Sequence, residues 1–278
     1  LNVEMHYGGD YGFIPAVSVK SGDYTEVRPD VSYFVNQIVN VIFVRTENGY
    51  VLVDAGMPRS KDRLFKVIEE NFGSSPPECI LLTHGHFDHV GSIVDLLIEW
   101  PEVPVYAHPL ELPYLSGERD YPEPDPSVEG GLIAKVSGFF PNEAVDITGA
   151  LRPLPENGEV PGLRKFKWIH TPGHTEGHVS FYREADGLLL AGDAFVTVRQ
   201  DSLYEVLIQH KKISGPPRYF TTDWVKAYTS VKALRDLGPS VAITGHGPAA
   251  GGTNLREGLE RLTEHFQEVA VPDHGRYS

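Results

Sequence analysis

The segment Thr83-His84-Gly85-His86-Phe87-Asp88-His89 sets four metal-ligating side chains within six positions, between an apolar run ending at Thr83 and a helix-like pattern beginning at Val90. On a helix His84 and His86 would diverge by about 200° and could not share an ion, whereas two-residue spacing in extended chain puts them on one side. Asp88 and His89 fall where the chain turns into the helix and point elsewhere, so one segment can seed two neighbouring metal positions. A surface histidine cluster without metal is the plain alternative. Gly85 and the flanking strand and helix favour the metal reading, because they supply the tight turn that such ligands need.

Six residues cannot complete two coordination spheres, so further ligands are expected at other strand ends. His174 follows the run ending at His170, in Thr171-Pro172-Gly173-His174-Thr175-Glu176-Gly177-His178, where Pro-Gly forces a turn. Asp193 follows Leu188-Leu189-Leu190-Ala191-Gly192, and His246 follows Val241-Ala242-Ile243-Thr244-Gly245. Each sits just beyond a strand-like run beside a glycine, at the edge where α/β proteins gather their sites.

The remaining strand-like runs are Val39–Val44, Tyr50–Val53, Cys79–Thr83, Val103–Ala107, Phe166–His170, His178–Tyr182, Leu188–Ala191 and Val241–Thr244. Between them Ser60–Asn71, Val90–Trp100, Thr222–Leu237 and Asn254–Val269 space their apolar residues as helices do. The alternation predicts an α/β class, with helices covering sheet faces. Residues 109–159 differ: rich in proline and acidic side chains, including Tyr121-Pro122-Glu123-Pro124-Asp125-Pro126, they read as a cap or loop insertion rather than a second domain.

Composition narrows the function classes. The 278 residues, 41% apolar, suffice for a large core without disulfides. A net charge of −14 repels phosphate backbones and anionic lipid, so neither nucleic acid nor membrane is expected as a partner. Twelve histidines stand against a single cysteine, Cys79, so a metal must rest on imidazole and carboxylate. Residues 1–12 contain Glu4, His6 and Asp10 and no signal-like apolar run, and the chain is expected to be cytoplasmic. Because it begins at Leu1, an export signal further upstream stays open.

The order of these residues resembles the metallo-β-lactamase-fold superfamily, whose hallmark is His-x-His-x-Asp-His followed at long spacing by His, Asp and His. The likeness runs from Val39 to Pro248 and includes Val51-Leu52-Val53-Asp54-Ala55-Gly56, similar to that family's early Asp-x-Gly. It implies one domain over residues 1–278 with a four-layer αββα sandwich and a dinuclear site at one edge of the two sheets. Carried over residue by residue, it implies that His84, His86 and His174 bind one ion, Asp88, His89 and His246 the other, and Asp193 bridges both. It further implies hydrogen-bonding roles for His178 and Asp54. His6, His108, His170, His210, His265 and His274 match no motif and are expected at the surface or satisfied in the core.

The resemblance also implies chemistry. All-His and carboxylate ligation suits two divalent ions, zinc first, with manganese or iron also accepted. Such a pair acidifies a shared water to a pKa of about 7. The expected reaction is attack of that hydroxide on a carbonyl carbon, with Asp88 orienting it and shuttling its proton. Departures from particular branches guide the substrate class. Asp193 is unlike class B β-lactamases, His86 unlike flavodiiron proteins, and Phe195-Val196-Thr197-Val198-Arg199-Gln200 unlike the Gly-Arg signature of glyoxalase II enzymes and persulfide dioxygenases. Acyl-homoserine lactonases are similar in length and ligands but often carry Tyr where this chain has Val196. Phe87, Phe195, Tyr204, Tyr219, Phe220 and Trp224, with Tyr7, Tyr11 and Phe13, are candidates to line an apolar pocket. The expectation is a hydrolase of small ester or lactone-type molecules. The rivals are a mononuclear iron oxidoreductase of the persulfide-dioxygenase type and a non-catalytic metal-binding protein.

Overall fold

Strands that read as unbroken apolar runs are buried on both faces. In β4 (Tyr50–Val53), Val51 and Val53 enter one apolar cluster while Leu52 enters another on the opposite side. In β10 (Leu188–Gly192), Leu188 and Leu190 join the first of these clusters, and Leu189 and Ala191 turn to a third. The cluster shared by β4 and β10 is the seam between two sheets, since alternate residues of a strand face opposite ways. The computed structural model describes residue 18 and residues 20–128, 137–198 and 212–278.

The first sheet has seven strands in sequence order: β1 (Tyr24–Arg28), β2 (Val31–Asn36), β3 (Val39–Arg45), β4, β5 (Ile80–Leu81), β6 (Val105–Ala107) and β7 (Leu151–Pro153). It is an antiparallel meander as far as β4 and parallel from there on. The second sheet runs β12 (Ala250–Gly251), β11 (Val241–Thr244), β10, β9 (Val179–Arg183), β8 (Lys167–His170), with β10 and β11 parallel. Helices α1 (Lys61–Phe72) and α3 (Ile93–Glu99) cover the outer face of the first sheet through Leu64, Ile68, Leu96 and Leu97. Helices α5 (Trp224–Asp236) and α6 (Gly252–Glu264) cover the second through Val231, Leu234, Leu255 and Leu259. Short helices α2 (Phe87–Val90), α4 (Leu112–Leu115) and α7 (Phe266–Val269) complete the described α-helices. The result is the expected α/β four-layer αββα sandwich. Each of those buried leucines contributes roughly 1.5–3 kcal/mol through apolar burial.

Several details depart from the sequence reading. The pattern over Val90–Trp100 is broken at Gly91 and Ser92: the Gly91 N–H leaves the helical ladder to donate to the Gly56 carbonyl at 2.8 Å, at an approach so close that a Cβ on Gly91 would lie 2.1 Å from the Pro58 nitrogen. The stretch 254–269 is likewise divided at His265. Residues 109–159 supply β7, which pairs in parallel with β6 at the sheet edge. Among the described residues no helix is long and apolar enough to cross a membrane.

One contact sets the site's edge. Asn40 of β3 donates its backbone N–H to the Gly245 carbonyl at 2.7 Å, and its Nδ2 to the carbonyls of Thr244 (2.9 Å) and Gly247 (2.7 Å). The end of β11 is thereby fastened to the first sheet, and the strand ends of both sheets open on one place.

Candidate metal centre

Four chain segments converge there: the segment after β5 carries His84 and His86 in a loop and Asp88 and His89 in α2, the loop after β8 carries His174, the end of β10 carries Asp193, and the turn after β11 carries His246. Asp54, at the end of β4, lies behind them. All seven expected ligands are buried. Their ligand atoms fall into three sets, each within 4.8 Å: His84, His86 and His174; His84, His89 and Asp193; Asp88, His89 and His246. Space for this packing depends on Gly245, where an added Cβ would sit 2.0 Å from Asp193 Oδ1.

Four of the five imidazoles are held by Nδ1, which leaves Nε2 facing inward. His89 Nδ1 lies 2.8 Å from Asp54 Oδ2, and His246 Nδ1 lies 3.0 Å from the Ile38 carbonyl. His174 Nδ1 is 3.2 Å from Thr221 Oγ1, whose hydroxyl donates to the Pro217 carbonyl. His84 Nδ1 is 3.1 Å from Thr83 Oγ1, whose hydroxyl donates to Asp54 Oδ2. Each arrangement keeps a proton on Nδ1, so that Nε2 is the nitrogen left to offer a metal, the tautomer such a ligand requires. His86 is the exception, with Nδ1 itself turned inward, 3.0 Å from His174 Nε2.

Asp193 occupies the centre. Its Oδ2 lies 3.2 Å from His246 Nε2, 3.6 Å from His89 Nε2 and 3.6 Å from His174 Nε2. Asp88 Oδ2 lies 3.3 Å from His246 Nε2. Burial, reinforced by neighbouring imidazoles, holds His84 and His174 well below the ordinary histidine range and His86 at about 3. Burial opposes charge on His89 and His246 as well, but nearby carboxylates override it, Asp193 foremost, raising His89 well above its usual value and His246 to about 10. For Asp193 burial is outweighed by His246 and His89, and its carboxyl stays well below the usual range. Three neutral imidazoles thus stand on one side and a carboxylate-rich half that attracts positive charge on the other.

These donors fit divalent cations. His84 Nε2, His89 Nε2 and Asp193 Oδ1 are buried without a hydrogen-bond partner, and the three residues form one of the close sets. Buried polar atoms are rarely left unpaired, and a cation accepts lone pairs from all three. Binding would replace the protons that the carboxylates otherwise draw onto His89 and His246.

His178 stands apart from the ligand sets and supports them: its Nε2 accepts from the Asp193 backbone N–H at 2.9 Å, and its Nδ1 meets Thr171 Oγ1 at 2.8 Å. Asp54, in a left-handed conformation (φ 61°), accepts from Thr83 N–H and Oγ1, both at 2.8 Å, while orienting His89. Of the aromatic candidates, Phe220 stacks on His86 with centroids 4.4 Å apart, and Phe87 and Tyr219 pack beside Phe220. Phe195 and Trp224 do not face this place; both belong to the cluster under α5 and α6. Tyr7, Tyr11, Phe13, Tyr204, His6 and His210 lie outside the described residues. His108 and His170 stack on each other at 4.2 Å, and His265 and His274 are exposed. Sequence reasoning missed Thr83, Thr171, Thr221 and Phe140, whose ring packs against Phe87 and Phe220. For Thr83 and Thr171 their place in the histidine motifs was the available signal; Thr221 and Phe140 stand beside no histidine in the sequence.

Comparison with known proteins identifies the family. The family model of the metallo-beta-lactamase superfamily matches residues 36–246. The Bacillus subtilis (strain 168) protein named "Probable metallo-hydrolase YflN" is 41% identical over 261 residues, covering 92% of this chain and 98% of that relative. The structure of TTHA1623 in a di-iron-bound form is 30% identical, covers 87% of this chain and 98% of its own, and superposes with a TM-score of 0.55. A B3 metallo-β-lactamase with an active-site glutamic acid, at 16% identity, shares the fold over 95% of this chain and 96% of its own, with a TM-score of 0.63. A matched family model reaching from the end of β2 to His246, on a sandwich whose strand ends gather histidines and aspartates, shows that the chain belongs to the metallo-β-lactamase superfamily.

Proposed function

We propose that this chain is a dinuclear metal-dependent hydrolase acting on ester or lactone bonds of small molecules. The observation that carries the reading is the position of Asp193, whose single oxygen Oδ2 lies within 3.6 Å of imidazole nitrogens from three different chain segments. His84, His86 and His174 would hold one ion, Asp88, His89 and His246 the other, and Asp193 would serve both. When bound, two such ions supply Lewis acidity and a water acidified to near-neutral pKa, with zinc the first choice on ligand type. Iron is an alternative that the di-iron-bound relative supports.

The chain's own groups define the remaining chemistry. Asp88 is buried, yet His89 and His246 hold its carboxyl below the ordinary value, so it is ionised at neutral pH and able to accept a proton from the attacking water. The same carboxyl then returns that proton to the leaving alkoxide oxygen. Phe220 against His86, backed by Phe87 and Phe140, gives an apolar wall suited to the acyl part of a neutral substrate. A lactone or ester fits this wall better than a polyanion, and the charge of −14 points the same way.

The test combines elemental analysis with a panel of lactones, aryl esters, thioesters and phosphodiesters. Two divalent ions per chain with lactone or ester turnover support the reading. One iron per chain with oxygen uptake overturns it in favour of an oxygenase.

A further inference from the structure

Outside the ligand set, one buried acid joins the two loops that carry the three-histidine group. Glu111, in the turn Pro109–Glu111 after β6, is fully buried, and each of its carboxylate oxygens serves a different loop. Oε2 accepts from the Gly85 N–H at 3.0 Å and from the Tyr121 hydroxyl. Oε1 accepts from Thr175 Oγ1 at 2.6 Å and from the Gly177 N–H at 3.0 Å. Gly85 stands between His84 and His86, Thr175 directly follows His174, and Gly177 directly precedes His178. Four donors from three separate stretches thus end on one carboxylate.

The neighbouring residues are shaped to this contact. A Cβ at Gly177 would lie 2.8 Å from Glu111 Cγ and Oε1, and a Cβ at Gly85 would lie 2.5 Å from Tyr121 Oη and 2.9 Å from Leu115 Cδ2. The two glycines therefore let both loops close onto the acid. Tyr121, also bonded to the Gly85 N–H at 2.9 Å, turns its ring against His86 with centroids 4.7 Å apart. Leaving such a carboxylate in the interior costs free energy unless its lone pairs are filled, and here all the fillers are ligand-loop groups or the tyrosine that touches a ligand.

We infer that Glu111 is a positioning residue for the metal centre: by holding the His84/His86 loop and the His174 loop on its two oxygens, it fixes the separation at which the three imidazoles share one ion. The inference rests on the proposed metal centre. It also gives the proline-rich segment 109–159 a task at the site, since both Glu111 and Tyr121 come from it.

Glu111→Gln is the discriminating variant, because the amide keeps the size but replaces one acceptor oxygen with a donor: the Thr175 or Tyr121 hydroxyl can turn to accept from it, whereas the backbone N–H on that side, Gly85 or Gly177, loses its acceptor. Zinc affinity is measured by competition with a chromophoric chelator, alongside the unfolding midpoint of the metal-free chain. The expected result is that one of two zinc ions binds about 10–100-fold more weakly, the range seen when partners of metal ligands are removed. A purely structural role would lower the metal-free midpoint and leave the affinity of the folded chain unchanged, and that result overturns the inference. If Glu111→Gln does not fold, Thr175→Val and Tyr121→Phe each remove one donor, and unchanged zinc affinity in both overturns it equally. Wild-type chain that takes up no zinc refutes the metal centre itself, and this inference with it. Wild type with two zinc ions beside an equally tight Glu111→Gln refutes only the inference.

Discussion

His89 Nδ1 and Asp54 Oδ2 lie 2.8 Å apart with both side chains sealed from solvent, so a carboxylate at the end of β4 holds the Nδ1 side of a histidine in α2, the short helix that follows β5. Adjacent parallel strands of the first sheet make this possible, since β4 and β5 deliver their ends side by side. Asp54→Asn keeps the shape but removes one acceptor that His89 or Thr83 needs. Divalent-metal affinity is expected to fall about 10–100-fold, read by chelator competition; unchanged affinity would show that His89 needs no such support.

His178 presents a contrasting case. Burial and the nearby His174 hold its imidazole at about 3, so it is neutral at all working pH values and accepts the Asp193 N–H through Nε2. His178→Ala should leave two ions per chain while costing about 1–3 kcal/mol for the buried N–H left unpaired. Elemental analysis beside denaturant unfolding checks this, and loss of one ion would make His178 a ligand instead.

Asp88 is expected to matter for turnover more than for folding. Asp88→Asn removes the proton acceptor, and kcat is expected to drop about 10²–10⁴-fold, the usual contribution of a positioned acid–base group. Steady-state kinetics at saturating metal separates this from simple metal loss. Turnover within a few-fold of wild type would move the proton-transfer role elsewhere.

Far from the site, Arg183 of β9 donates to Asp186 at 2.8 and 2.9 Å and to Asp30, in the turn between β1 and β2, thereby tying the two sheets together. The Arg183 hydrogen bonds hold the Asp186 carboxyl below its ordinary value. A depressed folded-state pKa means that this stabilisation is complete above the unfolded value of about 4 and is lost as pH falls through the folded value. Asp186→Asn should therefore cost about 1–2 kcal/mol at pH 7, with the gap from wild type closing below about pH 4. Paired unfolding curves between pH 7 and 3 give the answer; a gap that persists in acid would mean that charge is not its source.

His84, His174, Asp193 and His246 were legible because each stands just beyond a strand-like run and beside a glycine, and His86, Asp88 and His89 because they share the motif with His84, local patterns that survive in one dimension. His174 and His246 could be picked out 72 residues apart for that reason. Strand β1 was not legible: Tyr24–Arg28 is a half-buried edge strand with polar side chains and carries no apolar run. Strand β7 is three residues ending in proline, tolerated only because it lies at the sheet edge. Phe195 and Trp224 seemed placed for the pocket, but which face of a sheet a residue near a strand end takes is set by packing against α5 and α6. Glu111 was invisible for a different reason. Its four donors are separated by up to 92 residues of chain, from Gly85 to Gly177, and only the folded loops bring them to one carboxylate.

The central claim, that two ions held around Asp193 drive hydrolysis of an ester or lactone, is tested most directly by adding zinc to metal-free protein while following turnover of a lactone or aryl ester. Activity should rise to a plateau at two equivalents of zinc per chain. A plateau at one equivalent, or no turnover at any zinc level, would contradict the account.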